Sequence, residues 1–293
     1  MGRRRRRPHL DPSGVSRTLI AGTVETGRTM TETPQARFDA ALAAGATDGG
    51  RPEDLESLRA LGEAEVTRAA EVMYGSNAVF LLELDAPDPE ADGEHLRAVY
   101  KPARGERPLW DFPRQTLHLR EVATYLVDAA LGFGHVPPTT LRNGPLGPGS
   151  VQQFVHPAPR EEGSTDVATL EHQLREVAAL DALVNNADRK RAHLLVTPGP
   201  WVRAIDNALT FLPYPRQRTA LIALGGSDVP EDTAERLRSL VKDPRRRSGL
   251  RRRLSRLLSS AEVAAFMHRL RELADDPVFP ELDDWDGRPF EWW

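Results

Sequence analysis

The segment that leaves the fewest folding choices runs from Asn185 to Asp206. It opens where an apolar helical pattern (Leu170, Leu174, Val177, Leu180, Leu183, Val184) stops. Polar and charged residues then crowd together in Asn185-Asn186-Ala187-Asp188-Arg189-Lys190-Arg191-Ala192-His193. Leu194-Leu195-Val196 reads as one short strand and Trp201 to Ile205 as another, with turn chemistry between them at Thr197-Pro198-Gly199-Pro200. A hairpin centred near Gly199-Pro200 sets His193 roughly opposite Asp206, and directly opposed residues have Cβ atoms about 5 Å apart. Asp188, His193 and Asp206 then converge on one spot. Two carboxylates after a buried-looking helix and strand are poorly placed as bystanders, because an unpaired buried charge is costly.

Composition bounds the rest. The 293 residues suffice for one large domain or two lobes. A formal net charge of −4 gives no support to nucleic acid as a partner. The chain has no cysteine, which excludes disulfides, a thiol nucleophile and thiolate metal sites. No apolar run approaches the ~18 residues of a membrane span, so stable membrane insertion is not expected and the cytoplasm is the expected compartment. Nearly all basic residues are arginine; the lysines are Lys101, Lys190 and Lys242.

Residues 1–60 are rich in Gly, Thr, Ala, Pro and charge and read as a mostly disordered extension. Arg3 to Arg7 read as a solvated tail, or as the product of an upstream start with Met30 the true one. Residues 61–160 read as a small lobe. It has strands at Val66–Val72, Val79–Leu84 and Leu96–Lys101, then a helix over Leu117–Leu131 stopped by Gly132 and Gly134. Strands at Thr139–Arg142 and Val151–Val155 complete it, joined by a Gly/Pro-rich loop at Asn143–Gly149. Residues 161–293 read as a mainly helical lobe with the 194–205 hairpin inside it. Its last helix begins with a capping box, Ser259 and Glu262.

Phosphoryl transfer needs a turn over the phosphates, a cation to hold them, a carboxylate for the metal and a polar loop for the acceptor. The chain offers each in order. Gly75-Ser76-Asn77 forms a small polar turn, Lys101 ends the third strand, and Glu121 on the next helix can position that lysine. The stretch Gln152 to Val155, with Gln153 and Phe154 at its centre, can present backbone groups to an adenine ring. Asp188 and Lys190 occupy the polar loop, and His193 and Asp206 flank the hairpin.

These residues, with Ser76-Asn77-Ala78-Val79-Phe80, the run from Ala98-Val99-Tyr100-Lys101-Pro102 to Trp110-Asp111-Phe112-Pro113, Asn186-Ala187-Asp188-Arg189-Lys190 and Ala204-Ile205-Asp206, resemble the actinobacterial branch of phosphatidylinositol 3-/4-kinase-like proteins. The resemblance covers roughly Glu65 to Phe211. It implies an α+β, protein-kinase-like two-lobed fold, ATP with Mg2+ or Mn2+ as cofactors, and a protein, lipid or small-molecule acceptor. By that resemblance Lys101 is the phosphate-binding lysine, Glu121 its helix partner, Asp188 the catalytic-loop aspartate and Asp206 the metal-binding aspartate. Lys190 stands where the family's loop has histidine, and His193 where it has a metal-binding asparagine; Asn207-Ala208 replaces Phe-Gly. Imidazole is a poor magnesium ligand, so either the site favours manganese, or His193 works differently, or the metal site is degraded. Hence the expectation is a phosphotransferase with His193 and Asp206 at the metal, the alternatives being a nucleotide-binding pseudokinase or a nucleotidyl (AMP) transferase.

Overall fold

The computed structural model describes residues 33–72, 77–91, 93–159, 167–283 and 285–289. Helices α1 (Pro34–Ala43) and α2 (Leu55–Glu63) come first, then strands β1 (Val66–Val72), β2 (Val79–Pro87) and β3 (His95–Pro102). Helix α3 (Leu117–Leu131) and strands β4 (Thr139–Gly144) and β5 (Gly147–Gln153) complete the first lobe. The second lobe holds α4 (Val167–Val184), the hairpin β6 (Leu194–Val196) and β7 (Val202–Ala204), then α5 (Glu231–Lys242), α6 (Pro244–Leu254) and α7 (Ser260–Asp275).

The five strands of the first lobe form one antiparallel sheet in the order β1-β2-β3-β5-β4. Alternation decides its faces. Leu82 and Leu84 of β2 and Leu96, Ala98 and Tyr100 of β3 are buried, and they pack with Val151 and with Leu61 of α2. Lys101 follows Tyr100 and so points to the opposite face, toward the second lobe. Helix α3 keeps the bounds its periodicity predicts, and Gly132 closes it with φ 70°, a left-handed value glycine takes without strain.

Two expectations need correction. The stretch up to residue 60 was expected to be mostly disordered, yet residues 34–63 carry α1 and α2; residues 1–32 lie outside the described ones. The two helices present few apolar residues, chiefly Phe38, Leu58 and Leu61, and a polar network anchors the connection between them. Arg51 pairs with Asp54 (2.6 Å) and Asp128 and donates to the Val136 carbonyl (2.9 Å), while the Tyr125 hydroxyl donates to Asp54 (2.8 Å). The expected loop at 143–149 is also mostly sheet. Asn143 pairs with Pro148 and Gly144 with Gly147, whose φ of 94° permits the tight reversal.

In the second lobe the Ser259–Glu262 capping box is present as expected, and Asp243 caps α6 through the amides of Arg245 and Arg246. Leu119, Ala123 and Val127 of α3 share one core with Leu180 and Leu183 of α4, Leu237 and Leu240 of α5, Leu250 and Leu254 of α6 and Phe266 and Leu270 of α7. No helix among the described residues is long and apolar enough to cross a membrane.

Candidate active site

Lys101 sits between two carboxylates. Its Nζ donates to Asp206 Oδ1 at 2.7 Å, across the gap between the lobes, and to Glu121 Oε1. Glu121 is almost wholly buried, and its second oxygen accepts from the Asn207 amide at 3.0 Å. One helix residue thus fixes both the lysine and the peptide that follows Asp206. Burial alone would lower the Lys101 ammonium, but Asp206 and Glu121 overcome it and hold the group protonated, above its usual value. The Lys101 charge in turn holds the Asp206 carboxyl well below the usual carboxylate range.

The polar loop after α4 is built on buried arginine. Arg189 has no exposed surface; it grips Asp181 through two nitrogens at 3.0 Å and donates to the Ile205 carbonyl at 2.7 Å and to Asn207 Oδ1 at 2.6 Å. Asn186 donates to the same aspartate (2.9 Å) and accepts from the Asp188 amide (3.0 Å). This bidentate pair is the strong form of a charge-assisted hydrogen bond. It ties the loop carrying Asp188 to the segment carrying Asp206. Asp188 faces the cleft beside Lys190, whose Nζ lies 2.9 Å from its Oδ2. Burial raises the Asp188 carboxyl above its usual value although the Lys190 contact opposes it.

The hairpin register differs by one residue from expectation. Leu194 pairs with Ala204, and the Ile205 amide donates to the His193 carbonyl (2.9 Å), so His193 opposes Ile205 rather than Asp206. Asp206 nevertheless reaches His193 because its backbone turns to φ 57°, in the left-handed region. That turn brings Oδ2 to 3.4 Å from His193 Nε2. His193 Nδ1 accepts from the Lys190 amide (3.3 Å), and its Nε2 is the ring nitrogen on the Asp206 side. Burial pushes this imidazole down to about 4, so it is neutral near pH 7. Nδ1 is thus engaged by backbone, and Nε2, beside Asp206, is the ring nitrogen placed to share a cation with that carboxylate. Asp206 fits the metal role, since a hard divalent ion takes one or two carboxylates and fills its shell with phosphate and water.

The roof of the cleft is formed by β2, β3 and the strand-to-hinge segment. Asn77 lines it, but its Oδ1 is engaged by the Arg107 amide at 2.7 Å; Gly75 and Ser76 lie outside the described residues. The amides of Gln153 and Phe154, expected at the adenine, are used within the lobe, donating to Pro138 (2.9 Å) and Arg97 (2.9 Å). Val155, the next residue, lines the cleft with its amide without a partner among the described residues. The cleft holds about 580 Å³, with Lys101, Asp188, Lys190, His193 and Asp206 at one end and Gln153 to Val155 at the other.

Sequence reasoning missed Glu106. Its carboxylate accepts from the amides of Thr116 (3.1 Å) and Leu117 (2.7 Å), which start α3, and lies 3.3 Å from His118 Nδ1. A glutamate placed before a helix by a Pro-rich loop was the available signal. The Trp110–Pro113 stretch reaches both lobes. Phe112 is buried against Leu117 and against Ala187, Ala208 and Leu212, while exposed Trp110 lies under Arg216.

No protein-family model matches the chain. The protein Rv2133c of Mycobacterium tuberculosis (strain ATCC 25618 / H37Rv) is 31% identical over 267 residues, spanning 79% of this chain and 93% of that protein. Among solved structures, hydra Fam20 with sugar superposes with a TM-score of 0.54 at 18% identity, over 82% of this chain and 93% of that one. The Golgi casein kinase (TM-score 0.47, 15% identity, 82% of this chain and 79% of that one) and the Helicobacter pylori proinflammatory kinase CtkA (0.47, 9%, 75% and 94%) are more distant. The fold is kinase-like: a five-stranded antiparallel lobe followed by a mainly helical one.

Proposed function

The chain belongs to the family of the Mycobacterium tuberculosis protein Rv2133c, and from that premise and the cleft we propose that it is an ATP-dependent phosphotransferase of the phosphatidylinositol 3-/4-kinase-like branch, acting in the cytoplasm. The observation that carries this reading is the Lys101 ammonium held between Glu121 and Asp206 at the mouth of a nucleotide-sized gap. Adenine lies against Val155, whose amide is the available donor, and the phosphates reach Lys101. Asp206 would hold Mg2+ or Mn2+, which when bound neutralises phosphate charge. His193 Nε2, 3.4 Å from Asp206 Oδ2, flanks that carboxylate where the family's loop has its metal-binding asparagine. Asp188 accepts the proton of the acceptor hydroxyl, a task suited to its raised carboxyl. Lys190 keeps Asp188 in place.

Asp206→Asn tests the reading. Calorimetry with ATP and Mn2+, followed by turnover with label at the α- or the γ-phosphate, should show γ-label transfer in the wild type and loss of turnover in the variant. Wild-type-like turnover in Asp206→Asn eliminates the assignment. One second reading has a specific basis: His193 replaces the loop asparagine, its Nδ1 is engaged by the Lys190 amide, and imidazole is a poor magnesium ligand, which leaves Asp206 with weak support at the metal, as in a nucleotide-binding pseudokinase. Binding without transfer of either label favours it, and transfer of α-label favours nucleotidyl transfer.

A further inference from the structure

A second groove, of about 370 Å³, opens off the phosphate end of the cleft and shares Glu106, Leu109 and Leu117 with it. Arg104, Arg107 and Arg114 line it. All three guanidinium groups are exposed and have no hydrogen-bond or ion-pair partner among the described residues. The carboxylate in the groove, Glu106, is already spent on the start of α3. The local charge is therefore strongly positive in a chain whose net charge is −4.

The arginines do not stand on a loose loop. The Arg107 amide donates to Asn77 (2.7 Å), the Gly105 carbonyl accepts from Ala78 (3.1 Å), and the Thr116 hydroxyl donates to the Pro113 carbonyl (2.6 Å). The held backbone sets three unpaired arginines around one groove, and arginine binds phosphate with two parallel hydrogen bonds. A groove of about 370 Å³ has room for a phosphate group together with part of the molecule that carries it.

We propose that this groove binds a phosphate group carried by the acceptor, so that the acceptor is itself a phosphorylated molecule whose free hydroxyl is held toward Asp188. The assignment of an acceptor rests on the phosphotransferase reading; the anion site rests on the groove alone.

The test loads the protein with a non-hydrolysable ATP analogue and Mn2+ and then titrates inorganic pyrophosphate at fixed ionic strength. Expected is one equivalent of pyrophosphate bound by the loaded wild type and at least tenfold weaker binding by R104Q/R107Q/R114Q, with analogue affinity unchanged within twofold. A matched variant, R251Q/R252Q/R271Q, removes three exposed arginines from α6 and α7 and should bind pyrophosphate as the wild type does. Equal weakening in both variants, absence of pyrophosphate binding to the loaded wild type, or loss of analogue affinity in R104Q/R107Q/R114Q overturns the proposal. If the analogue does not bind at all, the phosphotransferase reading falls; pyrophosphate binding to unloaded protein that is lost in R104Q/R107Q/R114Q but kept in K101M still supports the anion site. Co-sedimentation with phosphatidylcholine vesicles, with and without phosphatidic acid, assigns the phosphate to a lipid headgroup if only the charged vesicles retain the protein, and to a soluble molecule if neither does.

Discussion

Lys101 holds two carboxylates together that would otherwise repel, and its removal has two separable effects. Lys101→Met should reduce turnover by roughly 10²–10³-fold, the range for losing one preorganised charge donor. It should also lower the thermal midpoint, because Glu121 is left buried without a cation. Single-turnover kinetics and a melting curve on the same preparation check both. His193 gives a prediction in pH. Its folded imidazole stays neutral down to about 4, whereas an unfolded histidine takes up a proton near 6.5. The unfolded state therefore binds more protons between those values, and stability falls as pH drops from about 7 toward 4. For His193 alone the loss is at most about 3 kcal/mol. In His193→Gln, measured by urea unfolding in EDTA, that part of the acid loss should vanish. Curves that stay parallel from pH 7 to 4.5 would rule the argument out.

Helix α3 carries Glu121, and its start is held by a loop residue rather than by its own cap. Thr116 makes no side-chain cap; Glu106 receives the first amides instead. Glu106→Ala should destabilise by about 1–2 kcal/mol, as lost caps do, and should reduce kcat because Glu121 moves with the helix. Unchanged kcat with lowered stability would show that the cap does not position the site. At this scale the sequence is uneven in what it discloses. The bounds of α3 were legible because apolar spacing and Gly132 agree. The positions of the strands and the hairpin at 194–204 were legible from alternation and turn residues; the insertion of β5 between β3 and β4 was not. The pairing of His193 was not, since a one-residue slip leaves no mark on so short a strand. The left-handed turn at Asp206 hides in the same way, because an aspartate tolerates that conformation without announcing it. The Arg189–Asp181 pair was illegible too: its partners sit in a helix pattern and a loop motif, each already explained without the other. Helices α1 and α2 escaped because polar contacts to Arg51 and Tyr125 anchor their connection, and composition counts such residues as disorder-prone.

Across the whole molecule, the helix that belongs by sequence to the first lobe is packed inside the core of the second. The Lys101–Glu121 pair is consequently anchored through that core, and α3 cannot swing away without opening it. A buried ion pair reinforces the join. Arg120 of α3 is almost wholly buried, pairs with Glu262 at the start of α7 and donates to the Thr210 carbonyl. Arg120 outweighs the burial of Glu262 and lowers its carboxyl, so the pair contributes at neutral pH and is lost as acid protonates Glu262. Glu262 also accepts from the Ser259 amide at 2.7 Å, so it serves the α7 cap as well. Glu262→Ala should lose roughly 3–5 kcal/mol, the usual result of stranding a buried arginine. Glu262→Gln keeps one acceptor oxygen, enough for Arg120 or for the Ser259 amide but not both, and should lose less than Glu262→Ala. Because α3 spans both lobes, the denaturant unfolding of each variant should remain one transition, with fluorescence and far-UV signals coinciding. Two separated transitions in Glu262→Ala would mean that the lobes fold as independent units joined mainly by this pair, and the site could then not be held assembled by the shared core.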